Sequence, residues 1–350
     1  MSWVSKLWSG FSGLSEQAFV ALGLGAIFAA LGGIYWDVTW HATLGRESFW
    51  IAPHLFVYSG VNVLLLSGLG GVALAWRHAG SLRSSFAHGV GPGFVVAALG
   101  PAIQIIAAPF DDLWHRLYGL DVTIWSPPHL MGIVGGMVGI YGLLAVLRAQ
   151  VPTRDPRPLW RGATANEVIG ILLFGAALSL SMFALGELDF HLEGRDALFY
   201  PMLAGTLAAV PLMAAARYVG RPGTATAVAL TYTVFRLLVL LLIWGMDSAE
   251  HLTPPVFVLA PALVIDLALY LTGQRSVLVA ALFSGPALLL GEWLSRVVFG
   301  GPAWEPLEVA TSLAAVTAVV AAGALAGDRL QSSMAPQSAG DRKAGEVAPR

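Results

Sequence analysis

Eight histidines occur in this 350-residue chain, and six of them stand in a recurring unit of acid, aromatic, proline and imidazole. The first copy reads Asp37-Val-Thr-Trp-His41, then Gly45-Arg46-Glu47, Trp50 and Pro53-His54. A second follows as Asp111-Asp112-Leu-Trp-His115, then Gly119, Asp121, Trp125 and Pro127-Pro128-His129. The third is decayed: Glu187-Leu-Asp-Phe-His191, Gly194-Arg195-Asp196, Phe199 and Pro201-Met202, with methionine where the second histidine would stand. A fourth trace survives as Asp247-Ser-Ala-Glu-His251 before Pro254-Pro255. In each copy an acid precedes a histidine by four residues, and on a helix that spacing puts both side chains on one face. The later histidine of the first two copies follows a proline, which favours the first turn of a new helix. Asp37, His41 and His54, and likewise Asp111, His115 and His129, therefore offer one carboxylate and two imidazoles each, a donor set that suits copper, zinc or iron. His78 and His88 lie in a basic loop outside the pattern and are expected to play no part.

The elements that must position these residues are membrane spans. The chain is 57% hydrophobic and 11% charged, far too apolar for a domain surrounded by water. Ten apolar stretches are long enough to cross a hydrocarbon core, near 17–36, 51–76, 92–110, 127–147, 166–186, 198–216, 225–246, 255–271, 278–298 and 307–326. The fold class expected is all-α: a polytopic membrane helix bundle of about ten transmembrane helices with internally repeated outer loops. Residues 1–16 read as a cytoplasmic interfacial segment, 17–147 as a four-span half bearing the metal sets, 148–326 as a six-span half with decayed repeats, and 327–350 as a disordered cytoplasmic tail. Cytoplasmic loops retain Lys and Arg. One set of alternate loops holds 14 of the 19, against Arg46, Arg116, Arg195 and Arg296 in the other set and Arg236 within a span. Both termini are therefore expected in the cytoplasm and all four copies on the outer face of a bacterial inner membrane.

Composition also excludes chemistries. Without cysteine there is no disulfide, thiolate metal site, iron–sulfur cluster or thiol nucleophile. The net charge of −2 and the lack of a basic run give no signal for nucleic acid. Small-xxx-small spacings such as Gly132/Gly136 and Gly135/Gly139 indicate close helix packing in lipid.

Helix electrostatics add a reason for a cation. A carboxylate at the carboxyl end of a helix faces its negative pole, an unfavourable placement by roughly 0.3–1 kcal/mol. The expected span limits put Asp37, Asp111, Glu187 and Asp247 there, where a bound metal would offset the charge. The amino ends of the second and fourth spans would keep His54 and His129 neutral, each with a lone pair to donate. The plainer alternative makes these residues interfacial anchors, with Arg46, Arg116 or Arg195 neutralising the acids.

Asp37-x3-His41-x12-His54 resembles the metal-site motif in the C subunit of the copper membrane monooxygenases, the particulate methane and ammonia monooxygenase family. Asp111-x3-His115-x13-His129 has the spacing of that family's neighbouring site, where asparagine usually stands in place of Asp111. The likeness covers about 20 residues per loop. It implies copper at these six ligands near the outer face, oxidation of a small apolar substrate, and assembly with other membrane subunits or copies. The chain departs from the family in its ten spans, in Asp111, in its two further copies and in having no fused cupredoxin-like domain.

Two other functions fit the same residues. A metal transporter or insertion factor would need polar groups continuing through the bilayer, and Asn62, Gln104, Arg236 and Asp266 qualify. Arg236 and Asp266, at equal distance from the outer ends of neighbouring spans, are expected to form an ion pair instead. A haem b protein would use His54 and His129 as axial ligands from two helices.

Overall fold

The computed structural model describes residues 15–43, 49–81, 90–119, 123–148, 157–186, 195–244, 254–299 and 304–334. Ten helices follow one another: α1 (Glu16–Thr43), α2 (Ala52–Ala79), α3 (Val90–Tyr118), α4 (Pro127–Arg148), α5 (Ala165–Phe183), α6 (Phe199–Val219), α7 (Thr224–Trp244), α8 (Leu259–Leu271), α9 (Val277–Phe299) and α10 (Pro306–Ser333). Among the described residues, nine of these are long and apolar enough to cross a membrane, so the chain is a polytopic helical membrane protein. The eighth expected span is the exception. A 3₁₀ turn at Val256–Val258 precedes a 13-residue α8, and together they are short for a bilayer core of about 30 Å.

Local sequence sets the ends. Pro53 occupies the first turn of α2, where a missing N–H costs nothing, and Gly80 closes that helix at φ 70° in the left-handed region. Thr164 and Glu167 form a capping box at the start of α5. The outward surface carries Leu66, Ile106, Leu242 and Val298, all exposed, as lipid contact requires. Exposed aromatics ring both ends: Trp50, Trp125 and Phe199 at one, Trp76, Trp160 and Tyr270 at the other.

Bare backbone makes the helix contacts close, the packing that substitutes for a hydrophobic drive in lipid. A Cβ on Gly60 would fall 2.7 Å from the Ala26 carbonyl, joining α1 to α2. One on Gly100 would strike the Gly139 and Gly135 backbone, joining α3 to α4. The first four helices are thus two tight hairpins, and one continuous apolar core links them to the remaining helices. That core has residues on both sides of the division expected near 147/148.

Three expectations need correction. The tail was placed from Gly327, yet α10 runs on to Ser333, because Gly327 lets it close on the Val210 backbone of α6 and Asp328 pairs with Arg217 at 2.8 Å. Residues 335–350 and 1–14 lie outside the described residues. Arg236 and Asp266 do not pair. Asp266 accepts from the Ala225 and Thr226 backbone N–H groups and the Thr226 hydroxyl at the start of α7, while Arg236, about 15 Å further along, stacks over the Tyr35 ring at 4.3 Å. Equal depth failed because α8 is short and displaced toward the other end of α7. Lastly, α1 and α3 continue well past their acids, to Thr43 and Tyr118. The macrodipole acts mainly in the last turn, so it bears on His41 and His115 more than on Asp37 and Asp111.

Candidate metal centre

Both hairpins build the same arrangement. The long first helix carries acid and histidine one turn apart, which the i, i+4 spacing aligns: Asp37 and His41 on α1, Asp111 and His115 on α3. The second helix has a proline in its first turn and a histidine as its third residue, His54 on α2 and His129 on α4. The tight turn of each hairpin brings that histidine onto the acid. His54 Nε2 lies 3.0 Å from Asp37 Oδ1, and His41 Nε2 lies 3.7 Å from the same oxygen. In the second hairpin His129 Nε2 and His115 Nε2 lie 3.1 and 3.3 Å from Asp111 Oδ1. All six expected ligands are therefore brought together in two triads whose donor atoms lie within 4.8 Å of one another.

The protons decide what these short contacts mean. His54 Nδ1 sits 3.0 Å from the Phe49 carbonyl, His115 Nδ1 3.1 Å from that of Gly119, and His129 Nδ1 2.9 Å from that of Thr123. A carbonyl only accepts, so each Nδ1 carries the proton and donates it. Nε2 is then the atom that faces the carboxylate oxygen, as a lone pair on a neutral ring or as a second N–H on a protonated one. Asp37 Oδ1 and His115 Nε2 are buried and make no hydrogen bond despite these approaches. At about 3 Å a carboxylate oxygen and Nε2 need a cation between them, either the second proton of an imidazolium or a metal ion, and for a metal ion these imidazoles already hold the required tautomer. The two-histidine, one-carboxylate set fits copper, zinc and iron alike.

Both triads open onto one cavity of about 750 Å³. Asp37, His41 and His54 line it from one hairpin, Asp111 and His129 from the other, with Val57, Val61, Ile105 and Ile133 among its aliphatic walls. Asn62 and Gln104 lie deeper, and Leu180 and Phe183 of α5 close the back. Sequence reasoning placed Asn62 and Gln104 on a transport path and gave no role to α5, whose apolar residues carry no chemical signal. The carbonyls of Phe49, Gly119 and Thr123 have no side-chain signature either.

The arginines offered as neutralisers have other partners. Arg116 is held by Asp112 at 2.8 Å, and Arg195 meets Glu292 at 3.6 Å. Arg46 lies outside the described residues, as do Glu187, His191, Asp247 and His251. From the third copy, Asp196 accepts from the Leu198 and Phe199 N–H groups and so caps α6. His78 is exposed in the last turn of α2, about 36 Å from His54 along the helix. His54 and His129 direct their Nε2 atoms at different carboxylates, which is not the face-to-face approach of two axial haem ligands.

Fold and site together define a class: a polytopic helical membrane protein with paired histidine–carboxylate triads on a shared cavity. No family model and no solved structure matches the chain. Over 159 residues it is 25% identical to the NAD(P)H-quinone oxidoreductase chain 4 of the chloroplast of Cycas taitungensis, a stretch covering 43% of this chain and 31% of that one. The chain thus spans about a third of the length of that relative.

Proposed function

We propose that this protein is a copper-binding oxidoreductase of the membrane, monooxygenase-like, acting on a small apolar molecule in the cavity between its triads. The observation that carries the reading is the convergence of two imidazole Nε2 atoms on the buried oxygen of a half-buried carboxylate, twice, around one cavity. Copper is preferred to zinc or iron for the resemblance of Asp37, His41 and His54, and of Asp111, His115 and His129, to the ligand motifs of the copper membrane monooxygenase C subunit. The likeness to a chain of a membrane oxidoreductase leans toward redox chemistry without naming a metal.

Copper held there supplies one-electron redox chemistry. The residues of this chain do the rest. Asp37 and Asp111 provide the negative charge that holds a cation in a low-dielectric site. The Phe49, Gly119 and Thr123 carbonyls fix ring orientation and tautomer through Nδ1–H, as partners one step removed from a metal usually do. Val57, Val61, Ile105 and Ile133 exclude water and favour an apolar guest. A transport path has less support, since Asp266 and Arg236 are engaged elsewhere, with the start of α7 and with Tyr35.

Elemental analysis with electron paramagnetic resonance on protein from copper-replete cells tests this reading. Copper with nitrogen hyperfine splitting supports it. Iron or zinc at full stoichiometry from the same cells refutes the copper assignment, and an intense Soret band would instead assign haem. The reading also places the triads outside a bacterial inner membrane with both termini cytoplasmic. Reporter fusions at Gly119 and Gly220 should then report opposite sides.

A further inference from the structure

The two hairpins touch differently along their length. Toward the end away from the triads α2 and α3 are in backbone contact: a Cβ on Gly68 would lie 2.7 Å from Ala98 N, and Gly71 lies against the Phe94 ring. Toward the triads no such glycine joins them, and the cavity occupies the space between. Three of its lining residues are exposed, Asn62 on α2 and Ile105 and Pro109 on α3, so the cavity is open between these helices. Both helices are membrane spans, so the surface at which the cavity emerges faces lipid.

The mouth carries two carboxamides. Asn62 Nδ2 donates to the Tyr58 carbonyl of its own helix, and Gln104 Nε2 donates to the Gly132 carbonyl. Among the described residues neither amide oxygen accepts a hydrogen bond, although both residues line the cavity. Pro109 has no N–H to give the carbonyl of Ile105, four residues earlier, so that oxygen has also lost its helical partner. These acceptors stand at one level: Asn62 is eight residues from His54 and Gln104 seven from Asp111, each about 10–12 Å below its triad. Each carboxamide also has a second N–H that these bonds do not use. A ligand that both donates and accepts therefore suits the mouth. A cation has nothing with which to accept, and an entrance through lipid disfavours its charge by several kcal/mol. A neutral hydroxyl donates and accepts without a charge.

We infer that the cleft between α2 and α3 is a lateral entrance from the bilayer, and that Asn62 and Gln104 bind the hydroxyl of a neutral, membrane-dissolved alcohol or phenol two helical turns beneath the triads. The inference names a ligand class for the cavity of the proposed function, yet the binding itself requires no metal. It therefore stands or falls separately from the copper reading.

The test uses the full chain in lipid nanodiscs and an eight-carbon alcohol carrying a photoreactive diazirine, with the diazirine-bearing alkane of equal length as control. After irradiation, labelled positions are mapped by mass spectrometry, and metal content is measured on the same samples. The alcohol should label the segments 57–62 and 105–109 in preference to the other lipid-facing helices, and the alkane should not. Asn62→Leu, at an exposed position whose side chain bonds only within its own helix, should lower that labelling about fivefold, the worth of one neutral hydrogen bond. Ala108→Phe should close the cleft and abolish the labelling. Metal content should be unchanged in Asn62→Leu, whatever its value in the parent. Labelling spread evenly over the lipid-facing surface, or equal for alcohol and alkane, would overturn the entrance. Labelling of the cleft that Asn62→Leu leaves untouched would overturn the hydroxyl site.

Discussion

Replacing Asp37 by asparagine should have opposite effects on the metal-free and metal-loaded protein. On the metal reading His54 of the metal-free protein turns an Nε2 lone pair to Asp37 Oδ1, 3.0 Å away, with its proton committed to the Phe49 carbonyl. Asparagine has nearly the same shape, but its amide can donate. The repulsive contact becomes an N–H···N hydrogen bond worth about 1 kcal/mol, and a partly buried anion is removed as well. Thermal unfolding of the chelator-treated variant should therefore shift up, by roughly 2–4 °C for each kcal/mol gained. With metal the sign reverses, since the site has lost its charged ligand. Loss of an interaction one step out from a metal already costs about 10–100-fold in affinity, and loss of a direct ligand should cost at least that. The assay is thermal unfolding in nanodiscs along a metal titration, parent beside variant, where the two melting curves should cross as metal is added. If instead the metal-free variant melts lower than the parent, His54 and Asp37 form an imidazolium–carboxylate pair that stabilises the fold on its own. The lone-pair argument for a metal would then fail.

Further expectations follow from the same geometry. Each triad has two imidazoles, so protons compete twice: as pH falls and the imidazoles take up protons, metal affinity should fall by up to about 100-fold per pH unit, and a shallower slope would mean fewer histidine ligands. Alanine at Asp266 and at Arg236 should each destabilise, but their costs should add to within about 0.5 kcal/mol because the groups are about 15 Å apart, and strong coupling in the double variant would restore the ion pair. Gly100→Val should drive a side chain into the Gly139 backbone, splaying α3 from α4 at a cost of about 1–3 kcal/mol. It should lower metal at the second triad more than at the first, so that stoichiometry falls toward one, and an unchanged value of two would show that hairpin closure does not build the site.

Nine of the ten expected spans were legible because apolar run length is a direct physical requirement of the bilayer. Leu259–Leu271 misled because Val256–Val258, equally apolar, folds as a 3₁₀ turn that composition does not distinguish from helix. Gly327 looked like the start of a polar tail, whereas its lack of a side chain is what seats α10 on α6. Asp266 was matched to Arg236 by depth counted in residues, and hydrogen bonds from the start of α7 decided its place instead. The six residues of the two triads were legible as a group because an i, i+4 pair and a post-proline histidine are local patterns. Their union around one cavity was not. It depends on glycine contacts between helices distant in sequence, on the backbone carbonyls of Phe49, Gly119 and Thr123, and on Leu180 and Phe183.

The central claim is that these two triads hold metal, and ligand deletion read as stoichiometry tests it most directly. Protein purified from metal-replete cells should carry two ions per chain. The His41→Ala/His115→Ala double variant should carry none while keeping its expression and its helical circular dichroism, and His78→Ala should match the parent. A double variant with full metal content, or a parent protein with none, would contradict the account.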